Sequence, residues 1–250
     1  MAGTEQRESR GGLGTVRNAV RLLELLAEGA AYQQLSDLAQ RADMSLPTVH
    51  RLLRSLTFAG LVVQDPQSSR YALGPEVTRL CGHYLSRLPL LGAISPYLAP
   101  LRDQLDATLY VQTLVRGEVV YVDRLEGPGA GPYRDTQWVH PALLVAGGRL
   151  LAARSDKVTW QSALDMIAEE ARASAEEAHE EWACAEWLSS DPVDAAMSAE
   201  VAVPVLDMHG CAVAALSAAL HNPADEQRTS LYAISLTRAA RAAGRTLGHA

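Results

Sequence analysis

Five polar residues between positions 45 and 54 are spaced so that they share one side of a short helix. They are Ser45, Thr48, His50, Arg51 and Arg54. Hydroxyl, imidazole and guanidinium groups hydrogen-bond to the edges of DNA bases and to phosphates. The same pattern also occurs on the solvated face of an ordinary amphipathic helix, so the neighbouring elements must separate the two interpretations.

The stretch from Tyr32 to Gly60 has the pattern of two short helices joined by a tight turn, which is a helix-turn-helix motif. Ser45 is predicted as the N-cap of the second helix, where its hydroxyl could accept a hydrogen bond from a backbone N–H. Pro47 suits the first turn of that helix, and Gly60 suits its C-terminal end. The apolar positions are Leu35, Leu38 and Ala39 in the first helix and Val49, Leu52, Leu53 and Leu56 in the second.

A β-hairpin is predicted directly after the second helix, because two short β-rich runs flank a turn segment at 65–69. The runs are residues 61–64 and 70–73. A hairpin in this position is the wing of a winged helix-turn-helix, and it would bring Arg70 to a phosphate. An earlier helix, with Thr15 as its predicted N-cap, completes the domain.

The remainder of the chain predicts an α+β fold, in which an antiparallel sheet has helices on its flanks. Alternating residues predict two β-hairpins, at 108–125 and 197–220, the first with a tight turn at Arg116-Gly117. Helical patterns predict a buried helix at 141–153, an acidic outer helix or helix pair at 157–181, and a closing helix at 225–247 with Leu231, Ile234, Leu236 and Leu247 facing inward.

The predicted divisions follow from these patterns. They are a disordered tail at 1–14, a winged helix-turn-helix domain at 15–74, a linker helix at 75–89 and a second domain at 90–250. The apolar stripe of the linker helix would pack either on its own domain or on the same helix of a partner chain.

Formal charge is divided unequally along the chain. Residues 1–89 contain ten arginines and eight acidic residues, and residues 90–250 contain twelve basic and twenty-one acidic residues, giving balances of +2 and −9 within the total of −7. Positive charge therefore accompanies the helix-turn-helix, as DNA binding requires. A balance of +2 is small for one DNA-binding module, which favours two modules joined in a dimer.

Several classes of function lack a sequence signal. No apolar run approaches the roughly 20 residues needed to span a bilayer, and residues 1–14 do not resemble a signal peptide, so a cytoplasmic protein without a membrane partner is expected. Cys81, Cys184 and Cys211 are far apart, which argues against a disulfide framework or a zinc site. An enzyme with an attached DNA-binding module is a weaker alternative, because no nucleophile elbow, P-loop or HExxH motif occurs, and no cofactor is expected.

Segments 16–19, 48–53 and 70–75 resemble the IclR family of bacterial transcriptional regulators. The string Thr-Val-His-Arg-Leu-Leu at 48–53, followed by the wing, is the specific signal. In the second half, segments 117–124, 148–152, 202–205 and 214–217 resemble the effector-binding domain of the same family, in the same order. The resemblance covers about Thr15 to Leu247.

The resemblance implies a winged helix-turn-helix joined through a linker helix to a GAF-like effector-binding domain. Members of this family are dimers, often paired into tetramers. They bind palindromic operators in double-stranded DNA and respond to small carboxylates or aromatic catabolites. The DNA-binding residues expected here are Ser45, Leu46, Pro47, Thr48, His50 and Arg51 in the major groove, with Arg54, Arg70 and Arg17 on phosphates. The effector-binding residues expected are Tyr110 and Gln112, Tyr121, Ala146 and Gly147, and Glu200 and Ser217.

This chain departs from the family pattern inside the expected ligand pocket. Leu143 and Val145 replace a histidine and a hydroxyl residue, Arg149 replaces a lysine, and Glu200 stands where the family often has cysteine. A carboxylate effector would meet Glu200 unfavourably unless Arg149 or another cation compensates, since an unpaired buried charge is costly. Two alternatives remain: a regulator whose effector is cationic or largely apolar, and a DNA-binding repressor that works without a ligand or under the control of a partner.

Overall fold

The computed structural model describes residues 2–128, 138–192, 198–220 and 225–248, with side chains from Gly14 onward, and it divides into two compact units. Unit one is Met1–Arg87 and unit two is Leu88–Ala250. The boundary falls within the segment predicted as a linker. None of the described helices combines the length and the hydropathy that a membrane crossing requires.

Unit one is a helix-turn-helix followed by a short β-hairpin, as predicted. The apolar stripes of its first three helices pack into a single core with Val62 and Tyr71 of the hairpin. The hairpin strands are antiparallel, with Val62 opposite Leu73. The elements are α1 (Ala2–Ala27), α2 (Leu35–Ala42), α3 (Leu46–Phe58), β1 (Val62–Gln64), β2 (Tyr71–Leu73) and α4 (Pro75–Ser86).

The N-terminal segment differs from the prediction. A disordered tail was expected at 1–14 and a helix from Thr15, whereas the backbone of α1 is already helical at Ala2. Glu5, Gln6 and Arg7 are good helix formers, and no proline precedes Thr15. Polar composition by itself therefore did not mark the start of the helix.

Both ends of α3 are defined by local backbone geometry. Ser45 occupies the N-cap position with an extended backbone, but its hydroxyl does not cap a backbone N–H as predicted. Its Oγ lies 2.8 Å from Thr48 Oγ1, so the two hydroxyls satisfy each other. At the C-terminal end, Gly60 has a φ of 73° and Leu61 N–H donates to Leu56 O at 3.0 Å, which is a Schellman motif. The predicted role of Gly60 is confirmed.

Unit two is an antiparallel sheet with helices on both faces, so the predicted α+β class is confirmed. The strand order in the described residues is β5-β4-β3-β8-β7-β6. Helices α5 and α9 share a core with one face of β3, β7 and β8, and α6 packs on the opposite face. The elements are α5 (Pro89–Leu105), β3 (Leu109–Val115), β4 (Glu118–Leu125), β5 (Val139–Pro141), α6 (Ala146–Ala152), α7 (Lys157–Asp165), α8 (Glu169–Cys184), β6 (Leu188–Ser190), β7 (Ala199–Leu206), β8 (Ala212–Leu220) and α9 (Glu226–Leu247).

Most of the predicted elements of unit two are present. The first hairpin turns at Arg116 and Gly117, whose φ angles of 50° and 86° suit a two-residue turn between paired Val115 and Glu118. The acidic stretch forms the helix pair α7 and α8. Residue 197, the predicted start of the second hairpin, lies outside the described residues. The short strands β5 and β6 were not predicted, because three residues are too few to show alternation.

The inward face of α9 differs from the prediction. Leu236 is buried, but Leu231 and Ile234 are 52% and 61% exposed. Small residues face the sheet instead, and they allow a close approach: a Cβ added at Gly244 would lie 2.2 Å from Leu206 O. The buried residues include Tyr232, Ala233, Leu236, Ala239, Ala240 and Ala243.

Candidate functional site

The exposed side of α3 carries the residues predicted to enter the major groove. Their side chains are exposed, apart from Thr48, which is half-buried. The opposite side of the helix is buried in the core of unit one, so packing fixes which face meets solvent. The exposed residues are Ser45, Leu46, Pro47, His50, Arg51 and Arg54, and the buried ones are Val49, Leu52, Leu53 and Leu56.

The wing turn presents Arg70, and α1 presents Arg17, both with exposed side chains. The carboxylate of Asp65 organises the turn: it accepts hydrogen bonds from the Ser68 hydroxyl, from Ser68 N–H at 2.9 Å and from Gln67 N–H at 3.4 Å. The Ser68 hydroxyl, followed by these N–H groups, lowers the pKa of Asp65. The turn is thus fixed by its own hydrogen bonds, and the Arg70 guanidinium remains available to a phosphate.

A polar network around the buried Gln33, which sequence reasoning did not identify, joins α1, α2 and the wing. Gln33 Nε2 donates to Leu25 O and Glu28 O, both at 2.8 Å, and the Gln33 backbone pairs with Tyr71 of β2. Arg41 Nη1 donates to Gln33 Oε1 at 2.8 Å, and Arg41 Nη2 lies 2.9 Å from Glu28 Oε2. These bonds satisfy carbonyls at the end of α1. A lone glutamine in a loop has no sequence signal for such a role.

In unit two, five of the residues predicted to bind an effector form one cluster beneath α6. They are Gln112, Ala146, Gly147, Glu200 and Ser217. Sheet register explains the meeting, because β3, β8 and β7 are neighbours and the three polar side chains alternate with residues of the core on the other face. Gln112 and Ser217 are completely buried, and Glu200 is 4% exposed.

The Glu200 carboxylate accepts hydrogen bonds from three elements. Gln112 Nε2 and Ser217 Oγ each donate to Glu200 Oε2 at 2.9 Å, and Gly147 N–H donates to Oε1 at 3.1 Å. Gln112 Nε2 also donates to Ser217 Oγ at 3.0 Å. Burial raises the pKa of Glu200, while the hydrogen bonds from Gly147, Ser217 and Gln112 oppose that rise.

The first turn of α6 leaves little space around this carboxylate. A Cβ added at Gly147 would lie 1.7 Å from Gln112 Oε1, so only glycine fits there without movement. Gln112 Oε1 itself is buried and makes no hydrogen bond within the described part of the chain. Ala146 N–H donates to Ser190 Oγ of β6 at 3.2 Å, a contact that sequence reasoning missed because β6 was not predicted.

Arg149 is the cation that the sequence suggested as a partner for Glu200. Its Nε donates to Leu143 O at 2.9 Å, and its guanidinium lies 5.3 Å from the centre of the Trp182 ring. Burial lowers the pKa of Arg149, while the charges of Glu200 and Asp191 raise it. The interaction of Arg149 with Glu200 is therefore one of charge, and the hydrogen bonds to Glu200 described above come from neutral donors.

Tyr110 and Tyr121 form an aromatic pair beside the cluster. Their ring centres are 5.1 Å apart, and Tyr121 also lies edge-on to His140 at 5.4 Å. Tyr110 is opposite Ser217 in the sheet register, so the pair adjoins the polar cluster. Both tyrosines are half-buried, which suits the wall of a ligand site as well as it suits the edge of a core.

A separate cavity of about 650 Å³ lies between the C-terminal ends of α8 and α9, beside the C-terminal half of β7. It contains none of the predicted effector-binding residues. Its lining includes Arg154, Cys184, Pro204, Asp207, Arg241 and Arg245. Arg154 already donates to Trp182 O and Ala185 O, at 2.8 and 2.6 Å, and so serves as a cap for α8. In the described ranges no three histidine, cysteine or acidic side chains are placed to hold a metal ion.

The sequence of unit one matches a known domain. A family model for the IclR helix-turn-helix domain matches residues 15–66. The HTH-type transcriptional regulator Rv1719 of Mycobacterium tuberculosis is 30% identical over 128 residues, which are 51% of this chain and 49% of that protein. Matches to the first curated relatives therefore span about half of their length.

Solved structures of similar fold cover nearly the whole chain. The crystal structure of an IclR transcriptional regulator from Alicyclobacillus acidocaldarius superposes with a TM-score of 0.74 at 22% identity, covering 94% of this chain and 99% of that one. An IclR homologue from Microbacterium hydrocarbonoxydans, complexed with 4-hydroxybenzoate, superposes with a TM-score of 0.67 at 19% identity, covering 93% and 98%. At these identities the likeness establishes the fold of both units. The matched domain model shows that residues 15–66 are similar to the IclR helix-turn-helix domain.

Proposed function

We propose that the protein is a cytoplasmic transcriptional regulator that binds double-stranded DNA through α3 and the wing. The observation that carries this function is the division of α3 into a buried apolar side and an exposed side with hydroxyl, imidazole and guanidinium groups. A helix fixed in this way can enter the major groove with its exposed side while its buried side keeps all of its packing contacts.

The contacts divide by chemistry. Side chains near the start of α3, from Ser45 to Arg51, face base edges and supply sequence preference. Arg54, Arg70 and Arg17 neutralise phosphates and set register and affinity. The Ser45–Thr48 hydroxyl pair can exchange its mutual hydrogen bond for bonds to DNA.

A homodimer on a palindromic operator supplies the second DNA-binding module. Helix α4 has no fully buried residue in unit one, and its Leu80 and Tyr84 are 48% and 61% exposed. Val16 and Val20 of α1 are exposed as well. Apolar surface of this kind on two helices suits a contact with a second copy. A tetramer would be a pair of such dimers.

The second unit would sense a small molecule through the cluster beneath α6 and the Tyr110–Tyr121 pair. The 4-hydroxybenzoate bound to the homologue from Microbacterium hydrocarbonoxydans supports this assignment. Binding would reposition α6 against the sheet. Transmitted along the chain, that movement would change the spacing of the two recognition helices and hence the affinity for fixed half-sites.

A ligand-independent repressor is the second candidate, and the closed Glu200 cluster favours it. Buried side chains of the protein itself fill that region. A thermal-shift screen of small metabolites separates the two candidates, since a compound that binds the native state raises the melting temperature.

The Arg51→Ala variant tests DNA binding. Selection of random-sequence duplexes on the wild-type protein defines an operator, and fluorescence anisotropy then gives the dissociation constant. Loss of an arginine that contacts a base costs about 1–3 kcal/mol, or about 5- to 150-fold in affinity. We expect this weakening with an unchanged oligomeric state by light scattering.

Arg238→Ala is the matched control, because Arg238 is an exposed arginine on α9 in unit two. It removes the same charge from the protein and should leave operator affinity unchanged. Equal affinities for wild type and Arg51→Ala would contradict the assignment of α3 as the recognition helix.

A further inference from the structure

Unit two contains a set of hydrogen-bond donors that is already occupied by an anion from the same chain. Gly147 N–H from α6, Gln112 Nε2 from β3 and Ser217 Oγ from β8 converge on the Glu200 carboxylate from β7 at 2.9–3.1 Å. Donors that converge from three separate elements on one carboxylate make a built anion site.

The donors are held in place. Gln112 and Ser217 are completely buried, and Gln112 is hydrogen-bonded to both of the other polar side chains. Gly147 lies directly against the Gln112 amide, which prevents that side chain from swinging toward α6. If the Glu200 carboxylate were absent, the same donors would face an empty space with the dimensions of a carboxylate.

Building on the effector-binding function proposed for unit two, we propose that Glu200 is an internal ligand. It occupies the carboxylate position of the site and excludes anionic effectors from it. The effector of this chain therefore places a neutral or cationic group toward β7. A small free carboxylate binds there only when residue 200 lacks its own.

Charge supports the exclusion. A second carboxylate beside the buried Glu200 would put two acidic groups at short distance, which is strongly unfavourable when both are ionised. The positive charge of Arg149 already interacts with Glu200 and Asp191. The charge of this half-buried arginine is therefore already shared between two acidic side chains.

Glu200→Ala tests the proposal by chemical rescue, because the fragment that it removes has the heavy atoms of acetate. Melting temperature is measured at about pH 8, where carboxylates are ionised in water, with sodium acetate, sodium chloride of equal ionic strength, or acetamide. We expect Glu200→Ala to melt below wild type. Acetate should raise its melting temperature by several degrees more than chloride or acetamide does. Wild type should respond equally to acetate and chloride.

Two results would overturn the proposal. One is a Glu200→Ala variant whose melting temperature rises no more with acetate than with chloride. The other is a wild-type protein whose melting temperature rises as much with acetate as that of the variant does. If Glu200→Ala is insoluble, a double-mutant cycle of Glu200→Gln and Ser217→Ala replaces it. The internal-ligand role then requires that Ser217→Ala lower the melting temperature of wild type by more than that of Glu200→Gln, and equal losses would reject it.

These readouts concern folding stability alone. Failure of Arg51→Ala to weaken DNA binding would contradict the assignment of α3 as the recognition helix and leave the acetate rescue intact. Failure of the rescue would leave the DNA-binding function untouched.

Discussion

Glu200 is a buried carboxylate that neutral donors stabilise. Transfer of an isolated ionised carboxylate out of water costs several kcal/mol even after the protein relaxes. Hydrogen bonds to a charged group each contribute roughly 1.5–3 kcal/mol, so the three donors recover part of this cost. Burial remains the larger effect, and the pKa of Glu200 is raised. The partners belong to β3, β8 and α6, and the loss of any one leaves the carboxylate with an incomplete set. At the scale of single residues, the second unit therefore depends on a few polar side chains as much as on its apolar core.

Gly147→Ala tests the packing around this group. The new Cβ would lie 1.7 Å from Gln112 Oε1, and Gln112 cannot move without breaking its bonds to Glu200 and Ser217. Overpacking of this kind costs about 1–3 kcal/mol. We expect a corresponding loss in the free energy of unfolding, measured by urea denaturation.

Gly92→Ala is the control for that substitution. Gly92 is exposed within α5, and nothing lies within 4 Å of its added Cβ. Alanine is the better helix former by up to about 1 kcal/mol, so this variant should be at least as stable as wild type. Equal stability changes at positions 92 and 147 would show that the Gln112 side chain moves away from the new Cβ at little cost.

Helix α4 differs from the other elements of unit one, because its apolar residues are not buried. The stripe that includes Leu80 and Tyr84 has the same helical spacing as the stripes of α2 and α3. Those two stripes meet the core around Leu38 and Val49, whereas Leu80 and Tyr84 remain exposed. At the scale of the element, an apolar stripe without a partner in its own unit points to a partner in another copy.

Leu80→Glu tests the dimer contact. A charge placed in an apolar interface is buried without a partner, so association should weaken. We expect light scattering to give the mass of two chains for wild type, and an average mass that falls toward one chain for the variant at the same concentration. Operator affinity should fall with it, since two half-sites need two recognition helices.

Val158→Glu is the matched control in unit two. Val158 is an exposed apolar residue on α7, so the substitution adds the same charge at a similar solvent-facing position. Its mass distribution should match that of wild type. A Leu80→Glu protein that remains dimeric would exclude α4 from the interface.

Charge distribution is a property of the whole molecule. The chain carries a net charge of −7, yet residues 1–89 have a balance of +2 and residues 90–250 a balance of −9. A net negative protein can still bind DNA, because screening limits the influence of each acidic residue to about 8 Å at physiological ionic strength. The local arginines then dominate near the phosphates, and salt should weaken the complex.

Arg70→Ala tests this electrostatic account. Each lost phosphate contact lowers the slope of log affinity against log salt by about one, which is roughly two for a dimer. We expect that smaller slope in anisotropy titrations over a range of salt concentrations. The order of preference among operator sequences should be unchanged, because phosphate contacts do not read bases. A slope equal to that of wild type would show that Arg70 does not contact a phosphate.

Prediction from sequence succeeded where a pattern is local. The helix-turn-helix, the wing and the hairpin turn at Arg116-Gly117 follow from spacing within a few residues. It failed where neighbours in space decide the outcome. Near its C-terminal end, the inward residues of α9 are small, because the helix lies close to the sheet at Gly244. Helical spacing alone does not reveal how close a helix lies to its neighbour. Gln33 is buried because α1 ends beside it.

By itself, the sequence determined the helix-turn-helix and its wing, the first hairpin of unit two, the buried and exposed sides of α3, and the confinement of the positive balance to the first 89 residues. These properties depend on side-chain periodicity and on composition, which act over one or two turns of backbone. Tertiary structure alone decided that Gln112, Glu200 and Ser217 form one closed cluster. The first two are 88 positions apart, and they meet because the sheet order puts β8 between β3 and β7, with α6 above them. Long-range strand pairing depends on the packing of the whole unit, and no local pattern encodes it.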